Sequence, residues 1–389
     1  MTAFRLKSID ILRALTMLLM IFVNDLWTLT GIPDWLGHKA AHEDGMGLAD
    51  VVFPAFLFIV GLSIPFAIGS RRRKNNSKLL ILRHITERTG ALLVMGIFMV
   101  NLENIQASGL LLSKYWWQIL MTLAFFFIWN DYKGKVFGKV PPIVLKLTGA
   151  AILGFLAAIY AGNGDNGYTW MRVHWWGILG LIGWGYLLSA LFYLIAGNRP
   201  VWTALFCLFL YLLNVNEFAT PFDFRIRIVV SASNYASVAA GMLVSVLLIR
   251  FRDKGKMALL LPVLAVMAAV LLLFGFLTRP VWGISKILAT PSWTAICAAI
   301  AILSFGVLHM LADRLEKTRW AAVIAPAGYS TLTCYLIPYF IYAFGALSGL
   351  NLPEILNTGI IGILKSIIFS ILVIQLTGLL GRLQIRLRI

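Results

Sequence analysis

Residues 47–64 read GLADVVFPAFLFIVGLSI. One carboxylate, Asp50, precedes an apolar run that continues to about residue 70. The apolar positions are continuous rather than alternating, which argues for a helix and against a barrel strand. The run is long enough to cross a hydrocarbon core, which takes about 20 residues. Pro54 and Pro65 interrupt it, and membrane helices tolerate this where neighbours restore the freed partners.

Working outward, similar runs recur over 8–29, 79–101, 115–131, 141–162, 174–196, 201–216, 230–251, 257–277, 291–312, 320–347 and 358–381. The chain is 60% hydrophobic and 13% charged, with a mean hydropathy of +0.87. Soluble domains carry about 25% charged residues. The expected fold is an all-α polytopic integral membrane protein with about 11–12 transmembrane helices. No Pro/Ser-rich linker divides the sequence, so 1–389 is read as a single transmembrane domain.

The net charge of +17 raises the question of a nucleic-acid partner, and its placement answers it. Alternate connections carry Arg5 and Lys7; Arg71–Lys74 and Lys78; Lys133, Lys135 and Lys139; Arg199; Arg250–Lys256; Arg314–Arg319; and Arg382–Arg388. The opposite connections hold only Lys39, Lys114, Arg172, Arg225, Arg227, Arg279 and Lys286. This is the positive-inside pattern, and it puts both termini in the cytoplasm. The basic charge follows topology, so a lipid bilayer is expected as partner and no nucleic acid. MTAFRLK before the first run imitates a signal peptide, but no A-x-A site follows, so the run is kept as the first helix. Cys207, Cys297 and Cys334 lie in separate spans and indicate neither a disulfide framework nor a zinc site.

Ahead of the opening stretch lies DWLGHKAAHEDGM, residues 34–46. With Asp50 it gathers His38, His42, Asp34, Glu43 and Asp44 from a chain that has five histidines and sixteen acids. Trp35, Leu36, Met46 and Leu48 would hold this loop against the membrane surface. Histidine titrates near neutrality and can take a proton from an amine or hydroxyl. An ionisable group at the head of a span, as Asp50 is, has to be paired or useful. His38 and His42 are i,i+4, but there is no HExxH frame and no clear third ligand, so no metal is expected. Glu43 and Asp44 are either acceptor contacts or solvated charges.

Other polar groups have both plain and functional readings. Asp10 and Arg13, at i,i+3, can form an ion pair, or Arg13 with Arg5 and Lys7 can meet a phosphorylated donor. Asn24 is a helix-end cap or part of a shared site with the His-rich loop. His84 and His309 read as interfacial, whereas His174 can line a site on the outer face. In WGISKILATPSWT (282–294), Lys286 either snorkels or meets an anionic substrate group, and Ser292 stands at the same helix entrance. GYSTLTCY (328–335) suits interhelical hydrogen bonding, and Gly177, Gly180, Gly183 and Gly185 suit close helix contact. The echo of YWWQIL (115–120) in HWWGIL (174–179) reads as an aromatic belt rather than a duplication.

RLKSIDILRALTMLLMIFVN, then WLGH, then GLADVVFPAFLFIVGLSI resembles the opening of the heparan-α-glucosaminide N-acetyltransferase family. The close match covers residues 5–70, with weaker matches at 282–294 and 328–337. Ala14 stands where the family has glycine, and the stretch between His38 and Asp50, which contains His42, is longer. The resemblance implies a membrane acyltransferase using cytoplasmic acetyl-CoA and an amino sugar or other glycan acceptor on the far side. It implies a catalytic role for His38, Asn24 and Asp50, and first-helix roles for Asp10 and Arg13. His42, Asp44, His174, Lys286 and Ser292 are the expected acceptor contacts. A bacterial cytoplasmic membrane is the expected setting, and the oligomeric state is open, a homodimer included. The rival class is a multi-span transporter or flippase of a small envelope metabolite, which predicts internal repeats and broken helices near the midplane. A third reading is a scaffold with a decayed site.

Overall fold

The computed structural model describes residues 6–109, 111–132, 140–164, 167–218, 229–349 and 352–389. Arg5, Lys133, Lys135, Lys139, Arg225 and Arg227 lie outside the described residues. The chain forms α1 (Lys7–Asp25), α2 (Leu48–Arg73), α3 (Lys78–Glu103), α4 (Lys114–Trp129) and α5 (Pro142–Ala158). A hairpin of β1 (Gly162–Gly164) and β2 (Gly167–Thr169) follows. Then come α6 (Gly177–Ala196), α7 (Pro200–Phe218), α8 (Ala232–Asp253), α9 (Leu260–Trp282) and α10 (Pro291–Leu308). The chain closes with α11 (Ala325–Tyr329), α12 (Thr331–Ser348) and α13 (Gly359–Arg382).

The protein is an all-α polytopic membrane protein. Among the described residues, nine helices are long and apolar enough to cross a bilayer: α2, α3, α6, α7, α8, α9, α10, α12 and α13. α1 has 19 residues but carries Lys7, Asp10, Arg13 and Asp25, while α4 and α5 have 16 and 17 residues. Together these helices occupy the segments expected from hydropathy, with one difference. The run expected over 320–347 is broken: α11 ends at Tyr329 and Ser330 separates it from α12. At that break Gly328 packs so closely on α1 that a Cβ there would sit 2.6 Å from the Asp10 carbonyl.

α2 occupies the middle of the bundle, against α8, α1, α6 and α10. Two glycines set its crossing with α8. A Cβ on Gly61 would lie 1.8 Å from the Val238 carbonyl, and one on Gly241 would lie 1.9 Å from the Phe58 carbonyl. Contact this close between backbones is how membrane helices gain dispersion energy without a hydrophobic driving force. α8 also reaches into the turn that Pro65 disturbs: Ser245 Oγ donates to the Leu62 carbonyl at 2.6 Å. The glycine face expected on α6 is used in the same way, since Gly96 of α3 meets the backbone of Gly180, and Gly185 faces Val238. In the aromatic echo, Trp116 and Trp175 are exposed, whereas Trp117 is buried and donates to the Leu156 carbonyl at 3.2 Å.

Candidate active site

The loop between α1 and α2 is built around the free N–H groups at the head of α2. A helix leaves its first N–H groups without intrahelical partners. Here the Trp35 and Leu36 carbonyls accept from Leu48 and Ala49, at 2.7 and 3.2 Å. This crossing needs Gly47, because a Cβ there would meet the Gly37 carbonyl at 2.0 Å. Asp50, three residues on, completes the cap: its Oδ2 accepts the backbone N–H of Gly47 at 3.0 Å and of Lys39 at 3.1 Å.

The other oxygen of the buried Asp50 side chain, Oδ1, lies 2.7 Å from Nδ1 of His38. Two acceptors at that separation would repel, so Nδ1 carries the proton and donates to the carboxylate. Nε2 of a neutral His38 is then left with a free lone pair. The imidazole is half-exposed, at 51%, over a carboxylate that is 1% exposed.

A second loop closes over the first from 240 residues away in sequence. Asp44 accepts the Ile284 N–H at 2.8 Å and Arg279 Nε at 2.9 Å. The Gly45 N–H donates to the Ile284 carbonyl at 3.0 Å, and Ser285 Oγ donates to the Ala41 carbonyl at 2.8 Å. This puts Lys286 Nζ 3.1 Å from His38 Nδ1 and 3.9 Å from Asp50 Oδ1. Burial pulls the Lys286 ammonium below its ordinary value, and the Asp50 charge opposes that. Arg279, first, and then the Ile284 N–H hold the Asp44 carboxyl below its usual range. Lys39 Nζ donates to Glu43 at 2.6 Å, which lowers the Glu43 carboxyl and raises the Lys39 ammonium. Asp44 thus ties the two loops together, and Glu43 pairs with Lys39 within the first.

His38, Asp50 and Lys286 are brought together. The other residues singled out in the sequence are not part of this cluster. Asn24 is exposed on the wall of a cavity of about 1550 Å³ bounded by α1, α3, α4, α12 and α13, and His38 is not among its wall residues. His42 is exposed. His174 is also exposed and faces the Asn104 amide, with 3.5 Å between their nitrogens. Ser292 is buried between α9 and α10, 3.1 Å from the Thr278 hydroxyl.

Arg13 bonds Asp10 at 3.4 Å, the Gly328 carbonyl at 3.1 Å and Ser63 Oγ at 2.8 Å. It lines a second cavity, of about 290 Å³, together with Arg88, Arg386 and Arg388. Lys7 is exposed and is not a wall residue; its backbone N–H donates to Asp313 at 2.9 Å. The two cavities share Ile178 and Tyr335, so they follow one another along α1.

Sequence reasoning missed Arg88, Arg386 and Arg388, and also a buried network at the end of α1. Asp25 accepts from Tyr342 at 2.7 Å and from Ser366 at 2.5 Å, and Lys365 Nζ lies 3.3 Å away. A signal for the network existed, because Lys365 is a lone charge in the first turns of an apolar span.

Residues 5–215 match the family described as a domain of unknown function, DUF5009. The chain belongs to that family. This DUF5009 member is also similar to two curated proteins, both heparan-alpha-glucosaminide N-acetyltransferases. It is 38% identical to the Homo sapiens protein over 97 residues and 37% identical to the Mus musculus protein over 100 residues. Those alignments cover 25% and 26% of the DUF5009 chain and 14% of each relative, so the similarity spans a small part of the relatives' length.

Proposed function

We propose that the protein is a membrane acetyltransferase that takes the acetyl group of cytoplasmic acetyl-CoA and delivers it to an amino sugar or other glycan on the opposite face. The observation that carries this reading is the His38–Asp50 pair, with Nδ1 fixed 2.7 Å from a buried carboxylate. Such a pair orients the imidazole, settles its tautomer and stabilises the imidazolium that forms when Nε2 takes a proton. The similarity to N-acetyltransferases supports acyl transfer as the reaction class.

In the proposed reaction His38 Nε2 removes the proton of the acceptor amine or hydroxyl. The acceptor's lone pair forms the new bond to the thioester carbonyl carbon, and the C–S bond breaks with the thiolate leaving. The alternative order uses His38 as the acyl carrier, with Nε2 attacking first. Asn24, which lines the large cavity apart from this pair, would meet the donor arm rather than the carbonyl beside His38.

The donor's phosphates suit the cavity lined by Arg13, Arg88, Arg386 and Arg388, since guanidinium groups pair with phosphate in a fixed fork. Its other walls are mostly apolar and it adjoins the large cavity at Tyr335 and Ile178, which fits a long donor arm reaching towards Asn24. The positive-inside reading of the basic connections supports a cytoplasmic position for this cavity. The experiment is transfer of labelled acetyl from acetyl-CoA to a panel of glucosamine-containing glycans by the purified protein. His38→Ala should abolish transfer while acetyl-CoA still binds; full activity in that variant would overturn the assignment.

A further inference from the structure

We infer that Lys286 is a positioning residue whose charge offsets that of Asp50 and so keeps His38 a neutral imidazole, ready to act at Nε2. The inference rests on the proposed acetyl transfer at His38.

The geometry states the problem that Lys286 solves. Asp50 is 1% exposed and 2.7 Å from Nδ1 of His38. A buried carboxylate so close would favour a doubly protonated ring, and an imidazolium can neither accept a proton nor attack a carbonyl. Lys286 brings the opposite charge to within 3.9 Å of the same carboxylate oxygen and 3.1 Å of Nδ1. Its ammonium repels a second proton on the ring and neutralises the attraction exerted by Asp50. The Lys286 side chain is itself largely covered, at 26% exposure, so salt screens this interaction less than a surface pair.

Of the other charged groups on these two loops, Lys39 and Asp44 have partners of their own. Lys39 is bonded to Glu43 within the same loop, and Asp44 is bonded to Arg279 of α9. Asp34 acts on Lys39, and from α10 the Cys297 thiol lies under the Asp50 carbonyl, with Sγ 4.0 Å from that oxygen. Among the described residues, Lys286 is the lysine or arginine that pairs with Asp50, at 3.9 Å, while Lys39 acts on that carboxylate from its bond to Glu43. The position of its loop is fixed independently, by Ser285, Ile284 and Thr290, whose hydroxyl accepts the Ser285 N–H at 3.1 Å.

The test compares the unaltered protein with Lys286→Met and Lys286→Arg in two measurements. One is the pH profile of acetyl transfer from acetyl-CoA; the other is a ¹⁵N-histidine NMR titration, with His38→Gln identifying the His38 signal. In Lys286→Met the acid limb and the His38 titration should both move to higher pH, by roughly one unit or more. In Lys286→Arg, which keeps the charge, both should return towards the unaltered values. A Met variant whose His38 titrates as in the unaltered protein, or at lower pH, overturns the inference whatever its activity. If the unaltered protein transfers no acetyl group yet the His38 titration moves as stated, the charge relation stands and the functional reading falls.

Discussion

Asp50 holds His38 through one oxygen and, through the other, the backbone N–H of Lys39, the next residue in the chain. One buried carboxylate thus fixes both the ring and the backbone that carries it. The pair is a property of how the loop caps α2.

That relation predicts separable effects for two substitutions. His38→Ala removes a half-exposed ring and leaves Asp50 its two backbone donors, so the melting temperature in detergent should fall less than in Asp50→Asn, while acetyl transfer falls by about 10²–10⁴-fold, the range of general-base catalysis. Asp50→Asn should lower both, because the amide cannot accept from both Gly47 and Lys39 as well as from His38. Lost buried hydrogen bonds of this kind cost about 1–3 kcal/mol. Equal melting temperatures for the two variants would contradict the capping role.

Gly47→Ala should damage the site without touching a charged group. Its Cβ would lie 2.0 Å from the Gly37 carbonyl, so the 35–37 crossing has to lift off the head of α2. Transfer activity should drop along with a loss of stability of roughly 1–3 kcal/mol, the usual cost of overpacking. Thermal melting and hydrogen exchange at Leu48 and Ala49 would report the lifted loop; unchanged exchange at those amides would count against it.

Lys365→Met should be more harmful than its position suggests. It leaves Asp25 as a buried charge with Tyr342 and Ser366 as its remaining donors. Breaking a buried pair from one side costs about 3–5 kcal/mol, whereas removing both charges costs much less. The double variant Asp25→Asn/Lys365→Met should therefore recover most of the lost stability, measured by thermal unfolding in detergent. Additive losses in the double variant would argue that the two side chains act independently.

The tie between the two loops should loosen in acid. Arg279 and the Ile284 N–H hold the Asp44 carboxyl below its ordinary value. For a carboxyl lowered on folding, the stabilisation is fully present above the unfolded value, about 3.9, and is lost as pH falls through the lower folded value. Exchange protection at Gly45 and Ile284 should thus be constant from neutral pH to about pH 4 and fall below it. Asp44→Asn should show the low-pH level of protection throughout.

Much of this organisation could be read before the fold was known. The continuous run after Asp50 and its recurrences gave the helices, since a bilayer imposes length and apolarity on each one separately. The His-rich loop and Asp50 are close in sequence, so their pairing was within reach of local reasoning. What sequence could not give was register between distant segments. Lys286 reaches His38 only because Asp44, Gly45 and Ala41 bind the end of α9 and the loop after it. Arg386 and Arg388 reach the Arg13 cavity because the chain after α13 returns to α4, where the Arg388 N–H donates to the Trp129 carbonyl at 2.8 Å. The break at Ser330 was invisible for a related reason: 320–347 carries no charge, its Ser/Thr run reads as interhelical hydrogen bonding, and the close approach of Gly328 to α1 joins segments distant in sequence.

The glycine contact between α2 and α8 limits how this protein can move. α2 carries Asp50 at one end, and Phe56, Ile59 and Ser63 on the wall of the arginine-lined cavity further along. With backbones touching at Gly61 and Gly241, neither helix can roll or slide without a main-chain collision. An opening between the two cavities is therefore expected at the elements that line both, α6 with Ile178 and α12 with Tyr335, rather than at the α2–α8 crossing.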